Sequence, residues 1–101
     1  MSEFDHTSLD DLIHSRLRLA IMAALAGVER ADFSALKRQV NATDGNLGMH
    51  LRKLEEAGYI QADKQFQDRK PVTRYALTDT GKQAFAAYLD QLAAWLPKTR
   101  A

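Results

Sequence analysis

The sequence predicts a mainly α fold with one small β-hairpin, an α+β class, and three observations lead there. Apolar residues recur at three- and four-residue steps in four separate segments, the mark of amphipathic helices. At Gly58 that spacing gives way to two short runs containing Tyr59, Ile60, Phe66, Val72, Tyr75 and Leu77. Between those runs stands a charged tip, Gln67-Asp68-Arg69-Lys70-Pro71, suited to a tight turn between strands.

A chain of 101 residues is one domain, large enough for a single core and small for an enzyme with a deep cleft. A hydrophobic fraction of 46% and a charged fraction of 27% argue against disorder. Without cysteine, disulfides and thiolate metal sites are excluded. No apolar run approaches the roughly 18 residues of a membrane span, and the N-terminus is not basic-then-apolar. The expected compartment is the cytoplasm, with no membrane contact. The net charge of +1 hides a gradient. Residues 1–36 carry three basic and six acidic side chains, whereas residues 37–74 carry eight basic and five acidic. A basic footprint there favours a nucleic-acid partner, although a solvated polar surface gives the same count.

Residues 1–7 read as a flexible tail. A first helical region is expected over about Ser8–Ala26, bent near His14-Ser15 and ended by Gly27 in a left-handed conformation. Leu17, Ile21, Ala24 and Leu25 make one apolar face, and Leu19, Met22, Ala23 and Ala26 a second. A helix apolar nearly all round is buried on two sides, so the second face calls for another partner. Asp32 caps a short helix through Val40, with Phe33, Leu36 and Val40 inward. Asn41-Ala42 makes a turn, and Thr43 caps the next helix, with Asp44 at its positive end. Two short helices across a tight turn form a helix-turn-helix, and the hairpin that follows makes it a winged one. Residues 8–77 comprise that unit. Thr78 and Asp79 start a last helix, and residues 78–101 form a dimerisation helix and tail of the same domain. Along it Phe85, Tyr88, Leu92 and Trp95 recur at helical steps, with Leu89 and Leu96 beside them. Together with Leu19 and Met22 they are expected to join two copies into a homodimer; packing within one chain is the simpler alternative.

On the helix from Asp44 to Ala57, Leu47, Leu51 and Leu54 fall in one narrow sector that faces the core. The opposite sector holds Gly45, Met49, Arg52, Lys53 and Glu56, flanked by Asn46 and Gly48. Glycine costs a helix about 1 kcal/mol relative to alanine, but lets a backbone approach a ligand. Alternatively, the pair only loosens an exposed first turn. Arg52 and Lys53 suit phosphates or guanine edges, Asn46 an adenine edge and Met49 a thymine methyl. Thr43 can donate its hydroxyl to a phosphate or act as a cap alone. Arg69 and Lys70 at the tip, with Lys64 and Arg74 along the strands, suit a minor groove or its phosphates. His50, on the border between core and groove, reads more naturally as a packed residue.

Three separated segments then resemble a known family in the correct order. IHSRLRLAIMAAL, TDGNLGMHLRKLEEAGYI and KQFQDRKPVTRYALTDTG are similar to the compact winged-helix transcriptional regulators of the MarR/ArsR-like group. The resemblance covers most of the chain and implies a dimeric DNA-binding protein of prokaryotic type. Arg16 stands where such sequences often carry proline, and Asp68 where a wing-tip glycine is common.

The resulting expectation is a sequence-specific regulator, most simply a repressor, that binds double-stranded DNA at an inverted repeat as a homodimer. No cofactor or metal is expected. An enzyme is excluded by the absence of a phosphate loop, nucleophile elbow or carboxylate constellation, and His6, His14 and His50 lack metal-ligand spacing. The rival reading is a winged helix used for protein interaction, which an apolar solvent face on the third helix would favour. A small-molecule effector between the first and last helices is possible on the aromatic content, but not indicated by it.

Overall fold

Asp10 and Ser15 decide where the first long helix begins. In the computed structural model, which describes residues 3–97, Asp10 Oδ1 accepts the backbone N–H groups of Leu12 (2.8 Å) and Ile13 (3.2 Å). That turn competes with a helical ladder. Ser15 is extended, with φ −149°, and its carbonyl accepts from Leu19, so helix α1 runs Arg16–Ala26. The expected start at Ser8 is thus corrected to Arg16. Part of the expected tail is folded as well: His6–Ser8 form a 3-10 helix capped by Asp5. Two hydrogen bonds from Thr7 hold the Asp5 carboxyl below its ordinary range. Residues 1–2 and 98–101, including the expected C-terminal tail, lie outside the described residues.

The remaining elements are β1 (Ala31–Asp32), α2 (Phe33–Val40), α3 (Asp44–Glu56), β2 (Ile60–Gln67), β3 (Lys70–Leu77) and α4 (Asp79–Ala94). Asp32, Thr43 and Thr78 each accept a backbone N–H at the start of α2, α3 and α4, as their residue types predict. Asn41, φ 53°, ends α2 in the left-handed region. Gly27 does not: its φ is −89°, and α1 closes through Val28 N–H to Leu25. Gly58, φ +79°, takes the left-handed position after α3 instead.

The sheet is antiparallel, in the order β1-β3-β2, with Ile60 opposite Leu77 and Gln67 opposite Lys70. Only the hairpin was expected; β1 is a two-residue addition pairing Ala31 with Tyr75 and Asp32 with Arg74. Helix α1 sits at the centre, touched by α2, α3, α4 and β3. Ile21, Met22 and Leu25 from α1 meet Leu36, Leu47, Leu51, Leu54 and Ile60, and Leu9 and Ile13 close the core from the N-terminal side. Burying each such side chain stabilises the fold by about 2 kcal/mol.

Three residues expected between two copies, Met22, Phe85 and Tyr88, are instead buried in the core of one chain, because α4 docks against α1 within it, while Ala23 and Ala26 of α1 stay exposed. Leu19, Leu92 and Trp95 are half-buried against the same core. The outward stripe of α4 holds Leu89, 45% exposed, and continues to Leu96, 68% exposed. The N-terminal segment lies along this helix: Ser8 Oγ donates to Gln91, His14 Nδ1 meets Tyr88 Oη at 2.8 Å, and Phe4 sets its ring edge-on to Trp95.

Candidate nucleic-acid interface

Helices α2 and α3 are held at the turn between them by Asn41 and by an exposed ion pair, Lys37 Nζ to Asp44 Oδ1 at 2.8 Å. Thr43 Oγ1 accepts the N–H of Asn46 at 3.2 Å, so the capping role is present, on a residue that is itself exposed. With Leu47, Leu51 and Leu54 buried, the opposite face of α3 is presented to solvent. Gly45, Asn46, Arg52 and Lys53 are exposed on it, Met49 is 42% exposed, and Gly48 is half-buried. A Cβ placed on Gly45 or Gly48 would meet nothing within 4 Å. Neither glycine is therefore required by packing within the chain.

A polar cleft of about 590 Å³ opens between the N-termini of α1 and α3. Ser15, Arg16, Asn41, Thr43, Asn46 and His50 line it. Arg18 braces its inner side. Its Nε donates to the carbonyl of Leu12, and its Nη1 reaches His50 Nδ1 at 2.8 Å. A guanidinium can only donate, so Nδ1 accepts and the imidazole is neutral with its proton on Nε2. Burial, then the charges of Arg18 and Lys53, pull the His50 pKa below the ordinary histidine range. His50 is thus half-buried and bonded, while Arg16 and Arg18 are neighbours of the third helix that sequence spacing did not reveal.

The hairpin turns through Asp68 and Arg69, whose φ values are 52° and 66°. Two positive φ values make the type I′ geometry that matches strand twist and favours Asn-Gly. Here a charged pair holds it, at a cost of about 1 kcal/mol or more for a long side chain in that region. Lys64, Arg69 and Lys70 are exposed. Arg74 is different: its guanidinium forks onto Gln65 Oε1 (2.7 Å) and Gln67 Oε1 (2.8 Å), and Gln65 in turn donates to Asp63. It stiffens the hairpin from one face. Phe66, expected to contribute to the apolar packing of the hairpin, is instead 80% exposed, because its partner Pro71 lies beyond the reach of the core.

A helix-turn-helix with an unobstructed, polar outer helix face and a basic hairpin beside it defines the winged-helix class of DNA-binding regulators. The chain belongs to the winged helix DNA-binding domain family, which matches residues 17–96. Its fold is similar to that of a transcriptional regulator homologue from Pyrococcus horikoshii OT3, at 32% identity and a TM-score of 0.83 over 93% of each chain. It is also similar to a MarR-family transcriptional regulator from Enterococcus faecalis V583, at 26% identity and a TM-score of 0.71, over 83% of this chain and 74% of that one. An uncharacterized protein of Methanocaldococcus jannaschii is 37% identical over 81 residues, which is 80% of this chain and 88% of the relative. Family and fold are those of a transcription regulator rather than an enzyme. No helix among the described residues is long and apolar enough to cross a membrane.

Proposed function

We propose that the chain binds double-stranded DNA at an inverted repeat as a homodimer and represses transcription by occupying the operator. Helix α3 enters the major groove, and the hairpin lies on the flanking minor groove or backbone. The observation that carries this reading is the outer face of α3. The side chains of Asn46, Arg52 and Lys53 stand on it without hydrogen-bond or ion-pair partners among the described residues, beside two glycines that no packing requires. Met49 alone leans toward protein contact.

The dimer is supported by exposed Leu89 on the outer side of α4 and exposed Leu96 just beyond its end, seven residues apart on one side of the segment. A second copy applying the same side buries it by two-fold symmetry. Two α3 helices then meet successive major grooves about one helical turn apart. Salt-dependent fluorescence anisotropy on a random duplex of about 25 base pairs, with light scattering for mass, tests the reading. About eight phosphate contacts give log K a slope near −7 against log salt. Arg52→Ala with Lys53→Ala should weaken binding strongly. A dimer that binds no duplex even at low salt would make the chain a protein-interaction module instead.

A further inference from the structure

One face of the sheet belongs to the core at its base and then outruns it. By register, Ile60 pairs with Leu77, Ala62 with Tyr75, Lys64 with Thr73 and Phe66 with Pro71, all on that face. Ile60 is buried and Tyr75 half-buried, whereas Phe66 is 80% exposed and Pro71 is exposed. The opposite face is closed by the Arg74 fork on Gln65 and Gln67. The hairpin therefore carries a solvated polar face, to which Lys70 belongs as the partner of Gln67, and a second face on which the apolar Phe66–Pro71 pair stands beside Lys64, with Arg69 at the turn. A phenylalanine so exposed adds little to the stability of one chain, and its burial is left to a complex.

Resting on the DNA-binding reading above, we propose that Phe66 and Pro71 pack against the deoxyribose wall of the minor groove beside the major-groove site. Lys64, Arg69 and Lys70 take the phosphates along its edges. Phe66 stands two residues behind the turn, about 7 Å of strand, and the minor groove is about 7.5 Å deep. A tip that reaches the groove floor leaves the ring at the rim, level with the sugars rather than between bases. Lys64 on the ring's own face, Arg69 at the tip and Lys70 on the far side of the hairpin match the phosphates that border the sugars on both edges of the groove, which is why DNA is the occupant and not a second apolar protein surface. Contact is closer where the groove is narrow, so the wing favours A·T-rich flanks. Because sugar packing is apolar, it strengthens binding without releasing counterions.

The test uses the full chain as wild type, Phe66→Ala, Phe66→Leu and the double variant Arg69→Ala, Lys70→Ala, on one random duplex across a salt series. Phe66→Ala should lose about tenfold in affinity at every salt concentration, with the slope unchanged. Phe66→Leu should recover most of that loss, and the double variant should flatten the slope. Wild type should prefer a duplex with A-tract flanks over one with G·C flanks, and Phe66→Ala should not. Thermal melting should be the same for Phe66→Ala and wild type. Equal affinity of Phe66→Ala and wild type overturns the wing contact while leaving DNA binding intact. So does unchanged DNA affinity with an altered mass in light scattering, which would make the face a contact between proteins. If wild type binds no duplex at low salt, the DNA-binding reading and this contact fall together.

Discussion

Gly81 packs against the backbone of Tyr59 so closely that a Cβ on it would lie 1.9 Å from the Tyr59 carbonyl oxygen. That oxygen already accepts the N–H of Thr78 at 3.0 Å, and Thr78 Oγ1 donates to the carbonyl of Gly58. The start of α4 is thereby seated on the junction between α3 and β2. Neither backbone can yield without breaking these bonds. Gly81→Ala is therefore expected to destabilise the fold by about 3 kcal/mol, read as a fall in the urea midpoint with an unchanged m value. A variant as stable as wild type would mean that α4 can slide on this junction.

The parts of the fold that were legible in the sequence are those where one local rule acts alone. Leu47, Leu51 and Leu54 mark a single face, and Asp32, Thr43 and Thr78 cap as their chemistry dictates. Strand β1 was not legible, since Ala31 and Asp32 are extended only because β3 pairs with them. Nor was the beginning of α1, where the side chain of Asp10 captures the N–H groups a helix would have used. On α4 the stripe Phe85, Tyr88, Leu92, Trp95 was legible as apolar, but not as facing inward. Periodicity gives a face without saying whether its partner is the same chain or another. In the candidate site, the exposed cations were legible from type and position. The Arg18–His50 pair, 32 residues apart, needed the fold to bring it together.

The two glycines of α3 separate stability from binding. Both have open space where a Cβ would go, so alanine fits at each. Gly48→Ala, in the helix interior, should gain up to about 1 kcal/mol, and Gly45→Ala, in the first turn, somewhat less. Both should cost about tenfold in DNA affinity if the backbone approaches base edges there. Melting curves and anisotropy on the same samples check this. Higher stability with unchanged affinity would show that the glycines merely loosen the first turn.

Arg69 makes the same trade at the wing tip. Glycine tolerates its φ of 66° without strain, so Arg69→Gly should stabilise the fold by about 1 kcal/mol, or roughly 4–8 °C in melting temperature. It should also reduce the salt slope of DNA binding by about 0.9 for each phosphate that the guanidinium neutralises. A stabilised variant with an unaltered slope would remove Arg69 from the interface.

Tyr59 should titrate late. Its hydroxyl donates to Asp10 Oδ2, and that bond, with burial and the carboxylate charge, pushes its pKa up to about 12. In the unfolded chain it ionises near its ordinary value of about 10. The folded state thus holds the extra proton between those values, so this group's contribution is complete below pH 10 and lost as pH rises toward 12. The tyrosinate absorbance difference between wild type and Tyr59→Phe should appear only near the upper end of that range. Asp10→Asn should bring it forward.

His50 should make stability fall on the acid side of neutrality. Burial and the charges of Arg18 and Lys53 lower its pKa in the folded state, and protonation of Nδ1 would set two donors face to face across 2.8 Å. The unfolded chain takes up that proton near the ordinary value of about 6.5, before the folded state does. Below this pH the unfolded state binds more protons, so stability is complete above it and declines as pH falls toward the depressed folded value. Denaturant unfolding of wild type between about pH 7.5 and pH 5 should show this decline, above the range where carboxylates titrate. His50→Gln, whose amide can still accept from Arg18, should flatten the difference. An equally steep decline in that variant would leave the Arg18–His50 bond without a role in acid sensitivity.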